Sequence, residues 1–323
     1  MNPPTIDDIR AAREHVYAAL QPTPLIRHPL LADRLGADVW VKHENHNPTG
    51  AFKVRGGLNL IARLSPEDRL RGVVSATTGN HGQSIAFAAA RAGVPCTLVV
   101  PRNNNRAKNA MMRAWGATLI EQGRDFDDAR EFVEAKCRDE NLRYVHSANE
   151  PDLIAGVGTY ALEIFEALAD IDTILVPIGG GSGACGLITV RDALGLKTRI
   201  IGVCAENADA VARSWRTGTR IVGASANTFA EGIATRVTFD LTFGILQRGL
   251  DDFISLSEAQ LADGVRLALD LTHNLAEGAG GAPLAAAFTR RDSLAGRRVV
   301  CVMSGGNLDV AMLVQLLTPE SES

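Results

Sequence analysis

Short apolar runs rich in β-branched residues recur along this chain of 323 residues, and alanine-rich stretches of helical period follow most of them. This alternation is typical of βαβ units, in which successive strands run parallel and helices cover the sheet. The sequence therefore predicts the α/β fold class. The predicted strands are residues 38–42, 72–76, 95–100, 117–121, 173–177, 199–204 and 298–303. The predicted helices are residues 5–20, 52–64, 80–92, 105–115, 126–139, 151–169, 183–194, 257–271 and 307–317, with a capping box at Ser257 and Gln260.

Length and charge narrow the class of protein further. The chain is long enough for two α/β domains of ordinary size or for one large one. Its 33 Lys and Arg residues against 37 Asp and Glu residues lack the basic excess of a nucleic-acid-binding protein. No apolar run approaches the ~18 residues of a membrane span and no signal peptide is visible, so we expect a cytoplasmic protein without nucleic-acid or membrane partners. The five cysteines lack C-x-x-C spacing and are expected to be reduced core residues.

Glycines cluster just after several of the predicted strands. In an open parallel sheet, ligands bind outside the carboxyl ends of the strands. The densest cluster, residues 179–183, follows a strand and opens a helix, where free backbone N–H groups suit a phosphate. Gly181, Gly183 and Gly186 also match G-x-G-x-x-G, and Glu206 lies twenty residues beyond, as in a dinucleotide site. Taken alone, this loop fits NAD, another phosphate ligand or a plain glycine turn.

A lysine with unusual surroundings follows the turn at residues 47–50. Lys53 lies in the first turn of a predicted helix, two residues before Arg55. The positive end of the helix and the nearby guanidinium disfavour an ammonium ion, so the pKa of Lys53 should fall. The residue is then a plausible amine nucleophile, although an ordinary solvated lysine remains the alternative.

Two further loops carry polar groups at strand ends. Residues 75–83 join a strand to a helix and contain hydroxyl, amide and imidazole side chains that suit a carboxylate, or that merely cap the helix. Residues 303–307 end another strand with the hydroxyl of Ser304 and two glycines, which alone would be an ordinary turn.

The four segments together resemble the pyridoxal-phosphate enzymes of fold type II, the tryptophan synthase β-like fold. The likeness is closest to the threonine/serine dehydratases and serine racemases. It rests on N-P-T-G-A-F-K-V-R-G-G at 47–57, T-G-N-H-G-Q at 78–83 and G-G-G-S-G at 179–183, and it extends from residue 22 to residue 307. It implies two domains with mainly parallel twisted sheets, a small one at 46–145 inserted into a large one made of 1–45 and 146–323. It also implies a homodimer, and a chain end without the C-terminal regulatory domain of biosynthetic threonine dehydratases.

The resemblance assigns roles to individual residues. Lys53 would bind pyridoxal 5'-phosphate as a Schiff base, with Phe52 and Gly232 on the two faces of the ring. Asn80 would bind the ring oxygen, and Ser304 would face the pyridine nitrogen. The cofactor phosphate would lie on Gly179, Gly180, Gly181, Ser182 and Gly183. The substrate carboxylate would lie on Thr77, Thr78, Asn80 and His81.

The implied reaction is dehydration of an L-β-hydroxy amino acid, such as threonine, serine or the bulkier phenylserine, to a 2-oxo acid and ammonia. Lys53 and Thr78 would be the catalytic residues. Many relatives have Ser-Ser or Ser-Thr in place of Thr77 and Thr78, and in racemases the second serine handles a proton on the face opposite the lysine. Because Thr78 has a stiffer χ1, elimination is favoured over racemisation. A serine-type racemase, a β-replacing enzyme and an NAD-dependent oxidoreductase remain alternatives.

A cation site is a further expectation drawn from the resemblance. Related proteins often bind a divalent cation or K⁺ after the strand equivalent to 200–205, and Glu206 and Asp209 are the candidate ligands here. Their spacing is shorter than in the family, so a solvated loop is the alternative. Glu277, in the segment 276–281, also resembles a segment near the active-site face, without an assigned role.

Overall fold

A computed structural model describes residues 1–140 and 142–318 of the chain. Its strands are β1 (Leu25–Arg27), β2 (Asp38–His43), β3 (Val73–Ala76), β4 (Cys96–Val100), β5 (Thr118–Glu121), β6 (Arg143–Tyr144), β7 (Thr173–Pro177), β8 (Arg199–Ala205), β9 (Asp252–Leu256) and β10 (Arg298–Met303). Its first helices are α1 (Ile6–Tyr17), α2 (Pro29–Leu35), α3 (Lys53–Ala62), α4 (Pro66–Arg71), α5 (Asn80–Ala92), α6 (Arg106–Ala114) and α7 (Phe126–Glu140). The others are α8 (Pro151–Ala167), α9 (Ser182–Ala193), α10 (Ala210–Thr217), α11 (Asp240–Gly249), α12 (Glu258–Thr272), α13 (Gly278–Thr289), α14 (Arg291–Leu294) and α15 (Val310–Leu317).

The strands form two sheets. The larger has the order β1-β2-β10-β7-β8-β9, and the smaller has the order β5-β4-β3-β6. Every neighbouring pair is parallel except β1 and β2, which are antiparallel. The predicted α/β class with mainly parallel sheets is therefore confirmed. The smaller sheet takes its strands from residues 73–144, and the division into domains at 1–45 plus 146–323 and 46–145 stays a prediction.

All seven predicted strands are present, with ends that differ from the predicted ones by at most one residue. The sequence patterns missed β1, β6 and β9, which lie at sheet edges, where short segments need no long apolar run. The capping box at α12 is confirmed, since Ser257 Oγ accepts from the backbone N–H of Gln260 at 3.3 Å and Gln260 Oε1 accepts in return at 2.9 Å.

Several helices were also missed, namely α2, α4, α10, α11, α13 and α14. Helix α13 is the most instructive, because it opens with glycines and contains Pro283, both of which disfavour a helix. It packs directly against α12, where a Cβ on Gly264 would lie 2.5 Å from the carbonyl oxygen of Gly281. Close tertiary packing therefore stabilises a helix that local propensity argues against.

The cysteines and the helices agree with an ordinary folded interior. All five cysteines are free thiols, and four of them are buried, as expected; Cys137 is partly buried. Across residues 1–140 and 142–318, no helix is both long enough and apolar enough to cross a membrane.

A buried ionic network anchors α3. Arg55 is fully buried and donates to Glu44 at 2.8 and 2.9 Å and to Glu163 at 2.6 and 2.9 Å. Lys42, also buried, donates to Glu163 at 2.5 Å and to the carbonyl oxygen of Thr23 at 2.7 Å. The guanidinium matches two carboxylates at once because its donors form a rigid planar fork. The network therefore joins α3 to α8 and to the end of β2.

This network yields a prediction about stability. Replacing Arg55 by Ala would leave the carboxylates of Glu44 and Glu163 buried with one cation between them. Removing one partner of a buried ion pair costs about 3–5 kcal/mol of the free energy of unfolding. Urea denaturation of Arg55→Ala should show a loss of this size.

The matched control is Arg10→Ala on α1. Arg10 pairs with Asp7 at 3.1 Å, but both side chains are more than half exposed. Such surface pairs contribute little to the free energy of unfolding, so this variant should unfold at the same urea concentration as the wild-type protein. Similar losses in the two arginine variants would contradict the importance of the buried network.

Candidate active site

A cavity lies at the carboxyl ends of β3, β7 and β10. Because parallel strands end at a common edge, the loops that follow them converge there. The cavity lining includes every residue predicted to bind cofactor or substrate: Phe52, Lys53, Thr77, Thr78, Asn80, His81, Gly179, Gly180, Gly181, Ser182, Gly183, Gly232 and Ser304. A wider depression at the opposite edge of the larger sheet, near the start of β7 and β8, contains none of them.

The glycine loop is shaped for close approach. Gly181 has φ +93°, in the left-handed region that favours glycine. A Cβ on Gly179 would lie only 2.6 Å from the carbonyl oxygen of Gly232, so a side chain at residue 179 would push the two cavity walls apart. The first intrahelical hydrogen bond of α9 runs from Cys185 N to Gly181 O, so the N–H groups before Cys185 have no acceptor within the helix. This donor set fits a phosphate dianion.

Lys53 is the first residue of α3, and its amine points across the cavity to the glycine loop. The Nζ atom donates to Ser182 Oγ at 3.0 Å and to the carbonyl oxygen of Ser147 at 3.2 Å. Burial lowers the pKa of Lys53 to about 8, against a smaller raising effect of Cys185. The predicted direction is confirmed, but the cause differs from the prediction, since Arg55 is neutralised by its own carboxylates.

The two threonines of the β3–α5 loop have different roles. Thr77 is buried, and its hydroxyl accepts from the backbone N–H groups of Gly79 at 3.0 Å and Gly82 at 2.9 Å. It therefore holds the loop, a role that the capping alternative gave to Thr78 or Asn80 instead. Thr78 is partly exposed and lines the cavity, so its hydroxyl is the one that can face a ligand.

The side chain of His81 is held in place by Ser75. Its Nε2 lies 2.9 Å from Ser75 Oγ, which also donates to the carbonyl oxygen of Val145 at 2.6 Å. Burial and the nearby Lys53 lower the pKa of His81 to about 3, so the imidazole is neutral at pH 7. It can take part in hydrogen bonds, but it supplies no positive charge.

Glu277, to which the sequence assigned no role, fixes the orientation of Asn80. Asn80 Nδ2 donates to Glu277 Oε1 at 2.6 Å, while Asn80 Oδ1 accepts from Asn307 Nδ2 at 2.8 Å. These two contacts leave one N–H of the Asn80 amide available to the cavity. Burial raises the pKa of Glu277, although Lys108 and Asn80 oppose that shift.

An ion pair between Lys108 and Glu231 also lines the cavity, and sequence reasoning missed it. Lys108 Nζ donates to Glu231 Oε2 at 2.5 Å. The lysine lies within α6, and no motif or glycine-rich segment next to it in the sequence distinguishes it from an ordinary helical lysine. The only usable signal was that Glu231 precedes Gly232 in a segment already assigned to the cavity.

The candidate cation ligands lie away from the cavity lining. Glu206 is exposed, and Asp209 pairs with Arg213 at 3.0 Å. Within the described part of the chain, no group of three or more His, Cys, Asp or Glu side chains could hold a metal ion. Gly186, the last glycine of the dinucleotide-like pattern, serves helix packing, since a Cβ there would lie 2.8 Å from Gly158 Cα.

Comparison with known proteins identifies the relatives of this chain. Residues 16–305 match the family model described as pyridoxal-phosphate dependent enzyme. The chain is 36% identical to an L-threonine ammonia-lyase of Thermotoga maritima over 97% of its own length and 78% of that protein. It is 30% identical to an L-threo-3-hydroxyaspartate ammonia-lyase of Saccharomyces cerevisiae over 99% of its length and 98% of that protein.

Solved structures give the same relationship. A processed threonine deaminase isoform 2 from Solanum lycopersicum superposes with a TM-score of 0.91 at 28% identity, over 98% of this chain and 95% of that one. A maize serine racemase superposes with a TM-score of 0.91 at 30% identity, over 97% of each chain.

Proposed function

This chain belongs to the family of pyridoxal-phosphate-dependent enzymes and is a lyase, and we propose that it converts an L-3-hydroxy amino acid to a 2-oxo acid and ammonia. One observation carries the proposal: the amine of Lys53 lies 3.0 Å from Ser182 Oγ of the glycine loop, which fits a phosphate, and the β3–α5 loop lines the same cavity. A nucleophilic amine, an anion site and a carboxylate site are thus close enough to act on one small molecule.

The lining residues fit pyridoxal 5'-phosphate. The N–H groups at the start of α9 and Ser182 would hold its phosphate, and Phe52 and Gly232 would flank its ring. The free N–H of Asn80 would reach the ring oxygen, and Ser304 would face the ring nitrogen. When bound, the cofactor acts as the electron sink for negative charge that develops at the substrate Cα.

The chain's own residues would orient the substrate and move its proton. The N-terminus of α5 and the hydroxyl of Thr78 would hold the substrate carboxylate, because backbone N–H groups at a helix start favour anions. With a pKa of about 8, a useful fraction of Lys53 is neutral near physiological pH and can remove the Cα proton as a general base. The 3-hydroxyl group takes up a proton and leaves as water, which gives an enamine. The enamine tautomerises to an imine, and water hydrolyses the imine to the 2-oxo acid and ammonia.

A serine-type racemase is the second candidate, favoured by the structural similarity to the maize enzyme. It would need a proton donor on the face opposite Lys53, a role for which Thr78 is the candidate. Chiral analysis of unreacted substrate would measure it. The homodimer, the cytoplasmic location and a cation at Glu206 and Asp209 stay predictions.

The first test of the proposed function removes the amine. Lys53→Ala should lose both the visible absorbance of the bound cofactor and at least about 10³-fold of 2-oxo acid formation from a panel of 3-hydroxy amino acids. Lys197→Ala is the control, because Lys197 is an exposed lysine just before β8, at the opposite edge of the sheet. Turnover retained by Lys53→Ala would exclude this residue as the base.

A second test follows from the lowered pKa of Lys53. Only the neutral amine attacks the cofactor aldehyde, so apoprotein mixed with pyridoxal phosphate should gain visible absorbance faster as the pH rises through about 8. Stopped-flow absorbance measures the rate, and N-acetyl-lysine serves as the reference amine with an ordinary pKa near ~10.4. A protein profile that coincides with that of the free amine would contradict the lowered pKa.

A further inference from the structure

The charges around the cavity limit which side chain a substrate can carry. The substrate α-carboxylate and the cofactor phosphate are already matched by backbone and hydroxyl donors in the proposed function. A substrate such as 3-hydroxyaspartate would bring a second carboxylate, which needs its own cation or hydrogen-bond donors once it leaves water. We therefore consider each positive group at the cavity in turn.

Lys108 is charged, but acidic groups surround it. Burial lowers its pKa, yet Glu277, Glu231 and Asp309 together raise it above the ordinary value. Its ammonium donates to Glu231 at 2.5 Å, and its stem crosses Gly79, where a Cβ would lie 2.5 Å from Lys108 Cδ. The lysine therefore reaches the carboxylate loop, but its charge is directed to Glu231.

In the adjoining depression, which shares Thr78 and Phe126 with the cavity, Arg236 pairs with Asp127 at 2.8 Å, Arg124 pairs with Asp128 at 2.9 Å, and Arg102 is exposed to solvent. The other basic groups of the cavity itself are committed or neutral. Lys53 is the proposed base. Burial lowers the pKa of His81 to about 3 and that of His146 to about 4, so both imidazoles are uncharged at pH 7. Among the described lining residues, no cation is left to receive a side-chain carboxylate.

The wall beyond the carboxylate loop adds to this limit. Phe126, Ala234 and Thr235 line the same cavity as Thr78. The acids Glu231 and Glu277 also face this space, so a second substrate carboxylate would meet apolar surface and like charge. Juxtaposed like charges are a recognised source of specificity, because each costs binding energy only for the wrong partner.

We propose that the physiological substrate carries an uncharged side chain, and that Glu231 is a specificity-determining residue that withholds Lys108 from a side-chain carboxylate. This inference rests on the proposed lyase function. It separates 3-hydroxy amino acids such as threonine, serine and phenylserine, which the cavity accepts, from the dianion 3-hydroxyaspartate, which it rejects.

The experiment compares kcat/KM for L-threonine and L-threo-3-hydroxyaspartate in the holoenzyme, measured by 2-oxo acid release. The wild-type protein should prefer threonine by about 10²-fold or more. Glu231→Gln keeps the shape of residue 231 but frees the Lys108 ammonium. The preference should then shift toward 3-hydroxyaspartate by about tenfold, the factor expected from one charge-assisted hydrogen bond.

Two further variants establish the cause. In the double variant Glu231→Gln/Lys108→Met, the apolar stem remains but the ammonium is gone, so the gain with 3-hydroxyaspartate should disappear. Glu67→Gln removes the same charge from the exposed surface of α4 and should leave the substrate preference unchanged. The visible absorbance of bound cofactor confirms that each variant is loaded and folded.

The outcomes also separate this inference from the proposed function. If no 3-hydroxy amino acid yields a 2-oxo acid, the lyase proposal itself fails. The role of Glu231 is overturned, while the lyase proposal stands, in either of two cases. One is that the wild-type enzyme has the same kcat/KM for 3-hydroxyaspartate as for threonine, and the other is that Glu231→Gln leaves the ratio of the two kcat/KM values unchanged. A gain that survives in the double variant would likewise overturn the assignment to Lys108.

Discussion

The buried pairing of Arg55 with Glu44 and Glu163 is the interaction on which the site depends. It fixes α3, whose first residue is Lys53, against α8 and the end of β2. With Lys42, the network contains two cations and two carboxylates, so its net charge is zero. A neutral network offers Lys53 neither a strong partner nor a strong repulsion. Burial, against a smaller raising effect of Cys185, then sets the pKa of the amine near 8.

That arrangement pairs the buried charges of this part of the fold with one another, while the contacts of the Lys53 amine are to Ser182 and Ser147. A single unpaired carboxylate near Lys53 would hold the amine as an ammonium ion, because an opposite charge favours the charged form. Arg55 engages both oxygens of Glu44 and both of Glu163, and neither carboxylate contributes to the pKa shift of Lys53. The network therefore supports catalysis by fixing the position of α3.

A feature of the fold or of the site could be predicted from the sequence when the residues that determine it lie close together along the chain. The central strands and the glycine loops follow from patterns within ten residues, and so does the placement of Lys53 at a helix start. The contacts that tune the site join distant segments: Glu277 meets Asn80, and Lys108 meets Glu231. Helix α13 was missed for the same reason, since its packing on α12, not its composition, stabilises it. No local pattern encodes such meetings, so only the folded structure reveals them.

The different roles of Thr77 and Thr78 help to decide between elimination and racemisation. The hydroxyl of Thr77 accepts hydrogen bonds from the N–H groups of Gly79 and Gly82, which leaves the hydroxyl of Thr78 to face the cavity. A hydroxyl delivers or takes a proton efficiently only with a base beside it. The imidazole of His81, which lines the same cavity, directs its Nε2 to Ser75 instead. Elimination takes a proton from Cα with the base Lys53 and needs a proton for the departing hydroxyl, but no second proton carrier at Cα. Racemisation requires such a carrier on the opposite face of Cα, so the geometry favours the lyase.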